Sequence, residues 1–420
     1  MTQVLASDSR PSQLRFETLP RLAQLRAQAV SAPTEVCVER ARHITTYLRD
    51  LADPKDPPVL RYAKAVRCFL SNKAPRFFDA NLLAGTTTSK RLAVPIHPEC
   101  PGRFFHGRMD PGERSTPSLL PREVEELNLH ILPFWVGRGL SAQAESAASI
   151  PLDLIPRILA FMEGHAQPGS QAEAWLSTVL ERGLEALIAE AEEAVLRGLR
   201  TGRDSDRIAF FRALQEVLTG VLAYAANLRQ FASLLADSEP DEERRHQLRT
   251  MAEVCAQVPA GPARTFREAV NAVWLMQIAL HAGGSSQVLD LDRLGVLLYP
   301  WFRQDLDRGD MAADGAMELL GCLCLKLREH VGAEPASWRG SSALRGDFAP
   351  VEDPAGALGL LVALASEWAG LRETGGPKAH RGGSGIGSFR RAMEALAGTW
   401  APSLFRFPGA ESCRSISITP

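Results

Sequence analysis

Apolar residues recur every three or four positions over most of this chain, and that spacing limits its fold more than any other feature. Between residues 176 and 199 glutamates and arginines fill the other positions, so a helix there would have one apolar and one charged face. The same pattern predicts long helices over residues 207–235 and 242–257. The Val-Pro-Ala-Gly-Pro run at residues 258–262 predicts the end of the third helix, because proline cannot continue a helix.

Further segments carry helical signals. Thr265 is predicted to cap a fourth helix, since Glu268 follows it at the spacing of a capping box. A fifth helix is predicted over residues 312–329, and weaker ones over 358–371 and 388–397. The chain is therefore predicted to be mostly helical.

The segment 74–135 differs in composition, because proline, glycine, threonine and aromatic residues interrupt the helical pattern there. Two short pieces within it, residues 82–88 and 92–96, favour β-strands. Irregular segments of this kind often carry functional residues.

Composition excludes several classes of protein. The 420 residues are 45% hydrophobic and 23% charged, which is typical of a globular chain. A formal net charge of -2 gives no global positive field, so nucleic-acid binding is not expected. Charged residues interrupt every apolar run and the first residues do not resemble a signal peptide, so we expect no membrane helix and a cytoplasmic location.

The seven cysteines are odd in number, are scattered and form no CxxC pair. Five of them lie in apolar or helical settings, where a reduced thiol behaves as a small hydrophobic residue: Cys37, Cys68, Cys255, Cys322 and Cys324. Residues two apart do not share a helix face, so Cys322 and Cys324 do not predict a metal site.

Two short motifs allow both a functional and a structural interpretation. The glycine cluster at residues 382–387 suggests a phosphate loop, but it lacks the GxGxxG spacing and a GK[ST] ending, so a flexible connector is favoured. Asp290 and Asp292 form a DxD pair that could hold Mg²⁺ or Mn²⁺. A solvated loop is favoured there, because two carboxylates alone are a weak motif.

Eight short stretches follow one another along the chain: residues 35–42; 57–65 with 83–86; 91–99; 131–138; 164–168 with 179–184; 258–269; 298–302; and 319–327. In this order they resemble the pyruvate formate-lyase (PFL) domain of glycyl radical enzymes, the family of glycerol, diol and hydroxyproline dehydratases and choline lyase. Val258-Pro-Ala-Gly-Pro-Ala-Arg-Thr-Phe-Arg-Glu-Ala269 is the strongest piece. The resemblance covers residues 34–330 and continues more weakly to residue 405.

The resemblance implies an α/β fold, mostly helical, with helices around about half of a glycyl-radical-enzyme type β/α barrel. It divides the chain into an N-terminal extension at residues 1–33, a truncated PFL-like domain at 34–405 and an irregular tail at 406–420. In such enzymes a glycine in an RVxGY or RVxGF motif stores a radical. An S-adenosylmethionine-dependent iron–sulfur activating enzyme installs that radical, and a cysteine in a GCxE loop relays it to the substrate.

Neither motif occurs among the 420 residues. Cys413 lies in a Glu-Ser-Cys-Arg context, without the preceding glycine or the following glutamate. We therefore expect no catalytic residue, no bound cofactor and no metal in this chain. The expectation is the N-terminal part of a lyase or dehydratase, shortened by a frameshift, an early stop or a gene split, and inactive alone.

The resemblance also implies substrate-binding residues. His165 lies in a Gly-His-Ala-Gln-Pro stretch, which in some dehydratases of the family places a histidine at the substrate hydroxyls. The alternative is a helix-start histidine bonded to a nearby carbonyl. The family's substrate loop aligns with residues 283–296, which gives Ser285, Ser286 and Arg293, although only Arg293 clearly matches. The substrate, a small molecule, is not identified by these residues.

A non-catalytic binding or scaffold protein is the alternative function. The expected partners are a radical-activating enzyme, a separate C-terminal fragment or a full-length paralogue; a homo-oligomer is also allowed, and neither nucleic acid nor membrane is expected. A half-barrel would leave strand edges unpaired, which predicts low solubility or oligomers for the chain alone.

Overall fold

The computed structural model describes residues 19–33, 35–78, 80–99, 119–136, 138, 171–202, 205–283 and 291–331. Helices dominate these parts of the chain, and two short strands accompany them. The elements are α1 (Pro20–Ser31), β1 (Glu35–Cys37), α2 (Glu39–Thr46), α3 (Pro58–Asn72), β2 (Ala93–Pro95), α4 (Pro121–Glu126), α5 (Leu132–Trp135), α6 (Gln171–Arg200), α7 (Ser205–Ser238), α8 (Glu242–Gln257), α9 (Phe266–Ala282), α10 (Leu291–Arg308) and α11 (Ala313–Val331). A π-helical turn extends α2 over Tyr47–Leu51, and another joins α4 to α5 over Leu127–Ile131.

The predicted long helices are confirmed. Helix α8 has the predicted bounds, and α7 runs beyond its predicted bounds at both ends. Helix α11 begins one residue later and ends two residues later than predicted. The weaker helices predicted over 358–371 and 388–397 lie outside the described residues.

Helix α6 corrects the prediction of one continuous helix. Gly183 has φ 75° and ψ 166°, which interrupts the helix there. The turn after α8 fills the interruption: Leu184 N donates to Pro259 O at 2.8 Å, and Ala263 N donates to Leu180 O at 2.8 Å. The apolar pattern missed the kink because it runs unbroken through both halves of α6.

Helix α9 is the centre of the core. All of its residues except Arg267 are buried, and it contacts α3, α6, α7, α8, α10 and α11. An apolar helix enclosed on every side is typical of a core element. The predicted cap is confirmed, since Thr265 Oγ1 accepts the Glu268 N–H at 3.2 Å. In a capping box the glutamate side chain accepts from the backbone N–H of the cap residue. Here the Glu268 carboxylate accepts instead from Arg264 N, one residue before the cap, at 2.7 Å.

The two strands form a parallel pair in which Val36 lies opposite Val94. This confirms a strand within the predicted segment 92–96. Residues 35–42, the first stretch of the resemblance, resemble the opening helix of the family, but here the helix begins only at Glu39, after strand β1. Leu92 O accepts from Glu35 N, and Ile96 N donates to Cys37 O. Because peptide groups alternate sides along a strand, Pro95 faces away from β1, where it offers no N–H to a further strand.

The prediction of a strand over residues 82–88 is wrong: that segment is irregular, and Gly85 within it has a φ of 81°. Side chains of the surrounding helices provide the backbone hydrogen-bond partners that a neighbouring strand would otherwise supply. Gly85 O accepts from Trp274 Nε1 at 3.2 Å and from Lys326 Nζ at 2.5 Å. Thr86 N donates to the Tyr224 hydroxyl at 3.3 Å. One residue before Gly85, Ala84 N donates to Asn271 Oδ1 at 3.1 Å.

Helix α1 lies within the predicted N-terminal extension and packs into the core. Leu22 is fully buried, and a β-carbon on Gly321 of α11 would stand 2.4 Å from its Cδ1 atom. The predicted division of the chain at residue 34 stays a prediction.

One helix in the described part of the chain, α7, is long and apolar enough to cross a membrane by length and composition alone. Half of its apolar window is buried inside the fold, and core helices of soluble proteins meet the same criterion.

Candidate functional site

A buried group of polar side chains lies where α2, α3 and the end of α9 meet. We call Arg40, Tyr62, His97 and Glu99 the Arg40 cluster. Arg40 binds the Glu99 carboxylate through two nitrogens, with Nη2 to Oε1 at 2.5 Å and Nη1 to Oε2 at 3.2 Å. Its Nη2 also donates to the Tyr62 hydroxyl at 2.8 Å, and that hydroxyl donates to Glu99 Oε1 at 2.7 Å. The guanidinium is therefore fixed in one plane.

The cluster is almost fully shielded from solvent, since the side chains of Arg40 and Glu99 are 2% and 3% exposed. Burial favours the neutral form of both groups, but each is charged because its partner outweighs that effect. Despite burial, the Glu99 charge and the bonds to Glu99 and Tyr62 raise the pKa of Arg40 above its ordinary value. Despite the burial of Glu99, the Arg40 charge and the nearby His97 hold the pKa of Glu99 well below its usual range.

Histidines border the cluster on two sides. His97 Nδ1 lies 3.8 Å from Glu99 Oε1. On α9, His281 is 4% exposed and its Nε2 lies 2.8 Å from Gln277 Nε2. Arg40 reaches the same helix end, because its Nε donates to Ala282 O at 2.9 Å.

A second buried ion pair lies on the neighbouring side of α2. Lys73 Nζ lies 3.3 Å from Glu39 Oε2, and Glu39 Oε1 accepts from Ala74 N at 2.7 Å. The ammonium group also lies over the rings of Phe69 and Tyr224, at 5.5 Å and 5.8 Å from their centroids. Lys73 and Glu39 therefore fasten the end of α3 to the start of α2.

Between these two ion pairs lies a cavity of about 10 Å³. It is bordered by Glu39, Arg40, His281 and Ala282, together with Cys37, Phe69, Thr87 and Pro95. This volume suits about one water molecule, so the cavity is too small for an organic substrate. The surrounding side chains hold neighbouring segments in place and do not themselves form a substrate pocket.

No group of three or more His, Cys, Asp or Glu side chains that could hold a metal ion occurs within the residues that the structure describes. The Cys37, Cys68, Cys255 and Cys322 thiols are free. Asp290, Cys413 and the glycine cluster at 382–387 lie outside that description, as do the side chains of Asp292 and Cys324.

The predicted substrate-binding residues stay predictions. His165, Ser285 and Ser286 lie outside the described residues; Arg293 lies in α10, but its side chain is not described. The structure therefore does not show whether these four come together. In sequence, the predicted substrate segment 283–296 begins directly after Ala282, the residue whose carbonyl accepts from Arg40.

Sequence reasoning missed the Arg40 cluster although its members lie in stretches that had been singled out. Arg40, Tyr62 and Glu99 belong to the stretches 35–42, 57–65 and 91–99. The one feature of the sequence that could have indicated the cluster is a charged residue among apolar ones, such as Arg40 within the run from Val38 to Ala41. Its partner Glu99 is 59 residues away, so no local spacing could pair them.

Comparison with known proteins gives consistent matches. The model of the family described as "PFL-like: Pyruvate formate lyase-like" matches residues 12–343. The chain is 27% identical over 309 residues to isethionate sulfite-lyase from Nitratidesulfovibrio vulgaris, covering 70% of this chain and 37% of that protein. It is 27% identical over 300 residues to the probable dehydratase YbiW from Escherichia coli, with the same two coverages of 70% and 37%. A solved glycyl radical enzyme from Archaeoglobus fulgidus superposes with a TM-score of 0.63 at 27% identity, covering 74% of this chain and 40% of that one.

Proposed function

The chain belongs to the pyruvate formate lyase-like family, and on that basis we propose that it forms the N-terminal part of a glycyl radical lyase or dehydratase. The observation that carries the proposal is the extent of the match. It includes most of this chain but only 37% of each curated relative described above. The solved glycyl radical enzyme gives the same picture, with 40% of its length covered.

The 420 residues alone are proposed to be catalytically inactive. They contain neither the GCxE sequence nor the RVxGY or RVxGF sequence that the resemblance associates with radical chemistry. A C-terminal polypeptide would supply both. Its glycyl radical would take a hydrogen atom from the cysteine thiol, and the resulting thiyl radical would take one from a carbon of the substrate.

The role of this chain would then be to support the substrate-binding side of the active site. We propose that His165, Ser285, Ser286 and Arg293 contact a small-molecule substrate that carries hydroxyl groups. A histidine can hydrogen-bond to such a group or relay a proton. Support for these four residues comes from the motif resemblance alone.

The test is reconstitution under anaerobic conditions. The purified chain is incubated with reductant, S-adenosylmethionine and an activating enzyme, with and without a polypeptide that carries the cysteine loop and the glycine motif. We expect the glycyl-radical EPR doublet only in the mixture that contains the second polypeptide. A doublet from the 420-residue chain alone would contradict the proposal.

The absence of both radical motifs from these residues also favours a second candidate, a non-catalytic scaffold that pairs with a full-length paralogue or a separate C-terminal fragment. It predicts a heteromeric complex that gains no activity from this chain. A reconstituted mixture whose turnover depends on His165 or Arg293 of this chain would exclude the scaffold and support the enzyme.

A further inference from the structure

We propose that Arg40 is a positioning residue that fixes the C-terminal end of α9, from which the predicted substrate-binding segment continues. A role of Arg40 in catalysis rests on the function proposed above, whereas its contacts in the structure are independent of that function. The last carbonyls of a helix have no donor within the helix, so an outside donor is needed where they are buried. Arg40 Nε supplies it to Ala282 O at 2.9 Å, and a cation at this end of a helix also interacts favourably with the helix dipole.

The guanidinium of Arg40 can hold the Ala282 carbonyl in position because other side chains fix the orientation of the guanidinium itself. Two of its nitrogens bind Glu99 and one of them also binds Tyr62. Glu99 follows strand β2, and Arg40 follows strand β1, to which β2 is paired. The end of α9 is therefore held relative to the two-stranded sheet through a single side chain. A lysine cannot reproduce this, because its ammonium group lacks the planar set of donors.

Helix α2 also provides a matched control. Arg42, two residues further along, forms an ion pair with Glu126, but its side chain is 47% exposed. Within the described part of the chain, the hydrogen bonds of the Arg42 side chain go to Glu126 and not to α9. Arg40→Lys and Arg42→Lys therefore make the same chemical change on one helix, and the change at Arg40 alone removes a contact to Ala282.

Hydrogen exchange measured by mass spectrometry on the 420-residue chain tests the proposal. The informative peptide covers residues 276–283, because Gly283 N donates to Ala279 O at 3.0 Å and so reports on the last turn of α9. Losing a buried charge-assisted hydrogen bond is expected to accelerate exchange in this peptide about tenfold or more in Arg40→Lys. Peptides from α8 should keep their wild-type rates, and Arg42→Lys should match the wild type throughout.

Two results would overturn the proposal. One is an Arg40→Lys chain whose 276–283 peptide exchanges at the wild-type rate, which would show that charge neutralisation of Glu99 is all that Arg40 provides. The other is acceleration of equal size in α8 and α9, which would indicate a general loss of stability. Should Arg40→Lys not fold, Glu99→Gln decides between the same results, since it weakens the pair of bonds that orients the Arg40 guanidinium and leaves Arg40 itself in place.

This experiment uses neither substrate nor radical activation, so its outcome is independent of the reconstitution test. A chain could fail to support a glycyl radical and still show the local effect of Arg40→Lys. Equally, radical formation in the reconstituted mixture would not rescue the positioning proposal if the 276–283 peptide were unchanged.

Discussion

Gly183 passes so close to Ala260 that a β-carbon on Gly183 would stand 2.2 Å from the Ala260 carbonyl oxygen. Its φ of 75° and ψ of 166° also belong to a region that glycine alone occupies readily. We expect Gly183→Ala to lower the free energy of unfolding by at least about 3 kcal/mol, through backbone strain and a collision that neither segment can avoid. Urea unfolding followed by circular dichroism measures the loss.

Gly202 is the control for Gly183. It also has a positive φ, 60°, but a β-carbon there would have no atom within 4 Å. Gly202→Ala should therefore cost only the strain, about 1 kcal/mol. Equal losses for the two variants would show that the approach to Ala260 adds nothing.

Tyr224→Phe tests the hydrogen bonds that replace a neighbouring strand along the segment 82–88. The change keeps the ring and removes the hydroxyl that accepts from Thr86 N at 3.3 Å. A buried N–H without a partner costs about 1–3 kcal/mol, and urea unfolding should show a loss of that size. Tyr47→Phe is the comparison, because Tyr47 is half-buried on the extension of α2; its loss should be below about 0.5 kcal/mol. Similar losses at the two positions would contradict the role given to the Tyr224 hydroxyl.

Glu99 should make the chain less stable in acid. Although Glu99 is buried, the Arg40 charge and the nearby His97 hold its pKa well below the ordinary value of 4.5. As the pH falls below that value, the unfolded chain takes up a proton at Glu99 and the folded chain does not. The stabilising contribution is therefore complete above pH 4.5 and is lost as the pH falls towards the lower pKa of the folded state.

The measurement is a series of urea unfolding curves between pH 7 and pH 3 for the wild type and Glu99→Gln. The variant should be less stable at pH 7, because Arg40 loses its buried counter-charge. It should also show a shallower loss of stability below pH 4.5, since it lacks the titrating carboxyl group. Parallel pH profiles would mean that Glu99 titrates alike in the folded and unfolded chains.

The buried cysteines should resist alkylation in the folded chain. Burial raises the pKa of Cys255 to about 12 and that of Cys322 to about 11, so their thiolates are scarce at pH 8. Cys68 is only half-buried and should react with iodoacetamide before Cys255 and Cys322. Mass spectrometry of digested samples ranks the sites, and urea should make all three react alike. Modification of Cys255 as fast as Cys68 in the folded chain would contradict the burial described here.

Local chemistry explains which parts of the fold could be predicted. The Thr265 cap and the bounds of α8 depend on residues within a few positions of one another, so the sequence contains the whole signal. The kink at Gly183 depends on the turn at residues 259–263, and the Arg40 cluster joins residues as far apart as Arg40 and Ala282. Contacts between residues so far apart produce no periodic pattern in the sequence.

The segment 82–88 shows a different limit. Its residues have the composition of a strand, and most of them are buried. The prediction was wrong because the hydrogen bonds come from helical side chains such as Trp274 and Lys326, which no propensity of the segment itself could reveal. The predicted substrate contacts at His165, Ser285, Ser286 and Arg293 came from the resemblance and await experiment.

The two donors at the Gly85 carbonyl also determine when this segment can be completed during synthesis. Lys326 follows Gly85 by 241 residues, and Trp274 follows it by 189. At about 5–20 residues per second, a ribosome needs roughly 10–50 s to add Lys326 after Gly85. Until then Leu82, Leu83 and Ala84, all buried in the finished fold, have no completed core to enter. A nascent chain therefore holds these apolar residues without their final core while the 241 residues up to Lys326 are added.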